Sequence, residues 1–109
     1  TTLMKKIDYT SYQIQIALYA KALSHPARVA ILEFLSVREC CFFGNLHEVL
    51  PIAKATVSQH LTVLKESGLI QGEIQPPQVK YCINRENWET ARALLAGFFN
   101  DIKNFDSCR

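Results

Sequence analysis

The sequence contains no apolar run long enough to cross a bilayer. It also lacks the basic start, apolar middle and small-residue exit of a secretory leader. The expectation is a cytoplasmic protein with no membrane partner. Glycine is scarce, four in 109 residues, and none belongs to a phosphate-cradling loop. Paired catalytic carboxylates and a nucleophile–base pattern are missing too, which argues against an enzyme. No Cys-x-x-Cys pair occurs among Cys40, Cys41, Cys82 and Cys108, which argues against a zinc ribbon. Two of the four are adjacent, unlike a secreted disulfide framework, so free thiols in a reducing compartment are expected. The net charge of +2 is too small to point to nucleic acid by itself, so the local placement of charge has to decide.

What is present is one domain's worth of chain, residues 1–109, with 49% hydrophobic residues and no repeats. Over residues 12–23, Tyr12, Ile16, Tyr19 and Leu23 follow helical spacing, and Ile14, Leu18 and Ala22 form a second stripe. A helix apolar on two faces has one face for its own core and another for a partner. Ser24 is the expected N-cap of a second helix, with Pro26 in its first turn, running to about Ser36 with Ala27, Ile31, Leu32 and Leu35 inward. A loop over 37–43 and a short helix over 44–50 follow, and Pro51 stops that helix. Residues 54–67 form the clearest helix, with Val57, Leu61 and Leu64 on one face and Gly68 placed to end it. Strands over 69–75 and 78–83 flank a Pro76–Pro77 tip, with Ile70 and Ile74, then Val79, Tyr81 and Ile83, on their inner faces. Asn84 caps a last helix in which Trp88, Ala91, Leu95, Phe98, Ile102 and Phe105 recur at spacings of three and four. This is the seam of a helix packed along another helix. Tyr12, Leu18, Trp88, Leu95, Phe98 and Ile102 are the expected contacts of a homodimer.

The resulting order is α-α-α-α-β-β-α, mainly helical with a β-hairpin wing. A short helix, a turn and a longer helix make a helix-turn-helix, and the hairpin behind it makes the motif winged. If Val57, Leu61 and Leu64 face the core, Lys54, Thr56, Ser58, Gln59 and Thr62 face away, as groove-reading residues must. Gln59 has the geometry for an adenine edge, and Ser58 and Thr56 suit bases or phosphates. No acidic residue occurs from Pro51 through Lys65. On an isolated helix such residues would simply be solvated; the complete helix-turn-helix-wing order makes double-stranded DNA the expected partner. His60 reads as a packing residue more than a base reader, His25 as part of a helix start, and His47 as a residue on an exposed helix face.

The segment Ala22-Leu23-Ser24-His25-Pro26-Ala27-Arg28-Val29-Ala30-Ile31-Leu32 resembles the opening of ArsR/SmtB-family repressors. So do Ala55-Thr56-Val57-Ser58-Gln59-His60-Leu61 and Leu64-Lys65-Glu66-Ser67-Gly68-Leu69-Ile70. With the wing and last helix, the resemblance spans nearly the whole chain. It implies a dimeric winged helix joined through its first and last helices, with Thr56, Ser58, Gln59 and His60 on the recognition helix. Ala53 departs from the capping Ser common there, and residues 75–78 lack the Gly-Arg often found at the wing tip, leaving Lys80 as a phosphate contact.

Many members of that family release DNA on binding a metal ion or metalloid, and some respond to oxidation. The family's Cys-x-Cys places are held here by Phe42 and Gly44, with Cys40 and Cys41 slightly upstream. Thiolates favour soft ions, so Cys40, Cys41 and Cys108 are the candidate ligands for arsenite or cadmium, set against the reading that all four cysteines are ordinary. Cys82 lies off the apolar parity of its strand and is expected to be a bystander. A zinc site on the last helix is not expected, because no histidine lies between Glu86 and Phe105. The functional expectation is a DNA-binding repressor relieved by a thiophilic ion or thiol oxidation. Its alternatives are a ligand-independent repressor and a winged helix used for protein contact.

Overall fold

The computed structural model describes residues 8–39, 41–75 and 78–101. Its elements run α1 (Ser11–Ala22), α2 (Pro26–Ser36), β1 (Phe42–Phe43), α3 (Leu46–Val49), α4 (Lys54–Ser67), β2 (Ile70–Gln75), β3 (Gln78–Ile83) and α5 (Arg85–Asn100). The expected winged helix-turn-helix is present, with one strand more than the sequence pattern suggests. The Pro76–Pro77 tip, Cys40, Ile102, Phe105 and Cys108 fall outside the described residues, as do the side chains of Ile74 and Val79.

α1 opens with a capping box: Thr10 Oγ1 accepts from Gln13 N at 3.0 Å, and Thr10 N donates to Gln13 Oε1 at 2.9 Å. The corner between α1 and α2 differs from expectation. His25, not Ser24, caps α2, its Nδ1 accepting from Ala27 N at 2.9 Å. Ser24 instead closes α1, its Oγ donating to the Lys21 carbonyl at 2.8 Å. Pro26 takes the first position of α2, where its missing N–H has no helical partner to lose.

β1 lies within the segment expected to be a loop. It is two residues long and pairs antiparallel with β3, Phe42 opposite Tyr81 and Phe43 opposite Lys80. The sheet order is β1-β3-β2. Phe42 is buried and meets Phe34 edge to face at 5.1 Å, while the Arg38 guanidinium lies 5.0 Å from the Phe34 ring centre and 5.2 Å from that of Phe42. Tertiary burial of one phenylalanine therefore sets this strand. α3 is shorter than expected because Gly44, at φ +133°, lies in the turn preceding it.

The core gathers Ile31 of α2, Leu46 of α3, and Leu61 and Leu64 of α4, all fully buried, with Tyr19 and Ala22 of α1, Tyr81 and Ile83 of β3 and Ala91 of α5 around them. Gly68 ends α4 in the left-handed region at φ +84°, and its carbonyl accepts from Asn87 Nδ2 at 2.9 Å. That bond ties the end of α4 to the first turn of α5, whose N-cap Asn84 accepts from Asn87 N at 3.1 Å.

Gly72, opposite Tyr81 in the hairpin, has no room for a side chain: a Cβ there would collide with the Lys80 carbonyl. Gly72→Ala is expected to cost about 1–3 kcal/mol by forcing the two wing strands apart. Urea unfolding of the two proteins measures the cost, and displaced amide resonances along β2 and β3 locate it.

Candidate nucleic-acid interface

The reading unit is α3, a short connection and α4. Pro51 cannot continue α3. The chain then turns with Ile52 N donating to the Leu50 carbonyl at 2.8 Å, and the Ile52 side chain is buried beneath the turn. Leu61 and Leu64 face inward, fixing the rotation of α4 about its axis. Consequently Lys54, Ser58, Gln59 and Thr62 are exposed, and Thr56 is half-buried. The Thr56 hydroxyl donates to the Ala53 carbonyl at 2.9 Å and that of Thr62 to the Ser58 carbonyl at 2.8 Å. Those two side chains are thereby left to present acceptor lone pairs outward. Ala53 gives no side-chain cap, so the first turn of this 14-residue helix keeps backbone N–H groups for an outside acceptor.

Lys65 holds the wing against the far end of α4, its Nζ donating to the Gly72 carbonyl at 3.1 Å. Lys80 is exposed on β3, and its ammonium sits 5.9 Å from the ring centre of the equally exposed Phe43. Among the described residues, one ion pair occurs, Glu89 with Arg92 on α5, and no carboxylate is paired with Lys54; Glu73 stands opposite Lys80 in the hairpin register, its side chain outside the described residues.

His60 is a packing residue, only 7% exposed. Its Nδ1 lies 3.3 Å from Arg28 Nη1, and its ring centre is 4.5 Å from that of His25. Burial first, and then the charges of His25 and Arg28, hold its pKa below the ordinary value. His25 is a helix cap, as its position suggested, whereas His47 is half-buried. Arg28 was overlooked as a structural residue, although the Ser-His-Pro-x-Arg spacing places it one turn from the corner it braces.

The cysteines are arranged differently from the expected ligand set. Cys41, just before β1, and Cys82 of β3 form a disulfide, with Cα atoms 4.4 Å apart and a sequence separation of 41. Cys82 is therefore the partner of Cys41 and not a bystander. Its outward parity was legible, but β1 was not, so nothing indicated what faced it. Cys41 is engaged here as a disulfide, and Cys40 and Cys108 lie outside the described residues. Among the described residues, no three His, Cys, Asp or Glu side chains are grouped to hold a metal ion.

α1 and α5 carry apolar surface that the monomer leaves uncovered. Tyr12, Ile14, Leu23, Phe98 and Phe99 are exposed, while Leu18, Trp88 and Leu95 are half-buried. Tyr9, Ile14, Ala17 and Leu18 line a groove of about 580 Å³ along α1. A second, of about 390 Å³ between α1 and α5, is lined by Tyr19, Leu23, Leu69, Trp88, Ala91 and Leu95. No helix among the described residues is long and apolar enough to cross a membrane.

This geometry defines a winged helix-turn-helix DNA-binding regulator. A helix-turn-helix domain family matches residues 23–73. The HTH-type transcriptional regulator YgaV of Escherichia coli is 33% identical over 72 residues, 66% of this chain and 73% of that protein. A biofilm growth-associated repressor of Xylella fastidiosa is 32% identical over 72% of this chain and 68% of its own length. An ArsR-like transcriptional regulator from Rhodococcus shares the fold with a TM-score of 0.68 at 19% identity, over 84% of this chain and 86% of its own. The chain belongs to the ArsR family of winged helix-turn-helix transcriptional regulators, which are not enzymes.

Proposed function

We propose that this protein is a homodimeric, sequence-specific repressor that loses operator affinity when Cys41 and Cys82 are oxidised to their disulfide. The observation carrying the DNA reading is α4 itself: a core-anchored helix whose outward face, with Lys54, Thr56, Ser58, Gln59 and Thr62, has no acidic residue before Glu66. Gln59 is the base reader, matched to an adenine edge, and Lys54 and Lys80 meet phosphates. The repressor role is supported by the biofilm growth-associated repressors among its relatives. In a dimer the two α4 helices enter successive major grooves, so the operator is an imperfect inverted repeat with half-sites about one helical turn apart.

The redox reading is supported by position. β1 is held to β3 by only two register pairs, and the Cys41–Cys82 bond lies directly beside them. In the disulfide form the Lys80 ammonium lies 5.9 Å from the exposed Phe43 ring, so a change in β1 on reduction would alter the surroundings of this phosphate contact. Both cysteines are half-buried, within reach of a small oxidant. The two thiols give up two protons and two electrons to hydrogen peroxide, which leaves as two waters, and a dithiol reductant reverses the step.

Two outcomes concern DNA. Gln59→Ala should relax preference at one base pair per half-site by about 1–3 kcal/mol. Lys54→Ala should weaken all duplexes alike and lower the salt slope by about one. Selection from random duplex followed by anisotropy measures both, and no binding at moderate salt would favour a winged helix used for protein contact.

A charged residue on the α5 seam, as in Phe98→Glu, should give monomers in sedimentation. The supporting structure is the set of exposed and half-buried apolar side chains on α1 and α5, which a second copy of the chain would cover through Tyr12, Leu18, Trp88, Leu95 and Phe98, with Ile102 continuing the seam in the sequence. An intact dimer in that variant would move the interface elsewhere.

Peroxide should weaken operator binding by the parent, and a reductant should restore it, while Cys82→Ser and Cys41→Ser should both be unresponsive. A response that persists in Cys82→Ser rejects this pair as the switch. Loss of binding on adding arsenite to reduced protein would favour a soft-ion inducer held by Cys41 with Cys40 and Cys108. Indifference to both treatments would leave a ligand-independent repressor.

A further inference from the structure

The corner between α1 and α2 is joined to the recognition helix by a run of polar contacts that DNA reading does not itself use. Ser24 Oγ accepts from Arg28 Nη2 at 2.7 Å, and Arg28 Nη1 lies 3.3 Å from His60 Nδ1 on α4. Arginine has donors only, so His60 Nδ1 is the acceptor. The His25 ring stacks at a tilt of 49° on His60, and His25 Nδ1 accepts from Ala27 N. Both imidazoles therefore use Nδ1 as an acceptor. Arg28 Nε is buried and has no hydrogen-bond partner among the described residues.

We infer that His25, Arg28 and His60 form a proton-sensitive latch holding α4 to the α1–α2 corner, and that protonating it weakens operator recognition. The inference rests on the DNA-binding reading of α4. A proton on His60 Nδ1 turns an acceptor into a donor that faces the donors of Arg28. That proton also adds a second cation beside Arg28. Against His60 lie Arg28 and His25, from α2 and its cap; the other elements packed on α4 carry Lys21 on α1, which is exposed, His47 and Glu48 on α3, half-buried and exposed, and Glu73 on β2, whose side chain lies outside the described residues. On α4 itself the ionisable side chains Lys54, Lys65 and Glu66 are exposed. Among the described residues no carboxylate bonds to His25, Arg28 or His60 to absorb the added charge.

The direction follows from linkage. Burial, His25 and Arg28 hold the His60 pKa below its ordinary value of 6.5. The stability this group contributes is complete above that pH and is lost as pH falls from there through its lower folded-state value. Acidification otherwise strengthens DNA binding, because added positive charge meets phosphate. A latch that opens on protonation therefore has a distinctive signature: preference for operator over random duplex falls with pH, whereas binding to random duplex does not weaken.

The test uses an operator selected from random duplex, with reductant constant throughout. Between about pH 7.5 and pH 5.5 the parent should lose about fivefold or more of its operator-to-random ratio. In the double variant His25→Asn and His60→Asn, each amide oxygen stands where Nδ1 stood and does not titrate, so the ratio should hold. A parent ratio that is flat with pH, or an equal loss in the double variant, overturns the latch. Thermal melting without DNA separates a failure of the latch from a failure of the DNA reading. The parent Tm should drop over the same range and the variant's should not; equal drops overturn the latch whatever is found with DNA. If the variant does not fold, NMR titration of the parent decides: His60 protonation must shift amides at the start of α2 and along α4 together, and titration without those shifts overturns the proposal.

Discussion

Burial of Leu61 and Leu64 is the constraint on which the rest of this molecule depends. These two side chains face the same core as Ile31 and Leu46, so α4 can adopt only one rotation about its axis. That rotation turns Lys54, Ser58, Gln59 and Thr62 outward as a group. A slip of one residue would rotate every side chain by about 100° and turn this group away from its common outward face. The apolar face of the helix thus determines the chemistry of its polar face. Gly68 and Asn87 complete the arrangement by joining the end of α4 to α5, the helix with the exposed apolar seam.

Much of this was legible in sequence, for reasons that differ by element. α4 was readable to its ends because its apolar spacing, a glycine stop and a preceding proline all agree, and they agree because a buried face and free termini impose them. α5 was readable from its seam and its Asn84 cap. β1 was not, because two residues carry no period, and its existence depends on Phe42 finding Phe34 and Tyr81 far along the chain. The choice of His25 over Ser24 as cap was equally hidden. Both residue types accept from a backbone N–H, and Arg28, by engaging Ser24, leaves the role to His25.

The candidate site divides along the same line. Residues whose role follows from helix periodicity, such as Gln59 and Lys54, were legible from local pattern. Those whose role follows from long-range pairing were not. The face Cys82 occupies on its strand follows from parity, but its partner does not, because β1 opposite it carries no sequence period. His60 was read as a packing residue, but its partners, Arg28 and His25, come from a corner more than thirty residues earlier. Sequence pattern reports which way a side chain points; what it meets there depends on the rest of the chain.

The Cys41–Cys82 bond closes residues 41–82 into a covalent ring. α3, α4 and the wing lie within that ring, and α1, α2 and α5 lie outside it. For a loop of this size the cross-link removes about 4 kcal/mol of disorder from the unfolded chain. Because α1, α2 and α5 share one core with α4 and the wing, oxidation raises the stability of the fold as a whole, the flanking helices included. A protease that cuts only the opened chain therefore finds the oxidised protein open less often than the reduced one. The redox state would then set not only how this regulator engages its target but how long it persists.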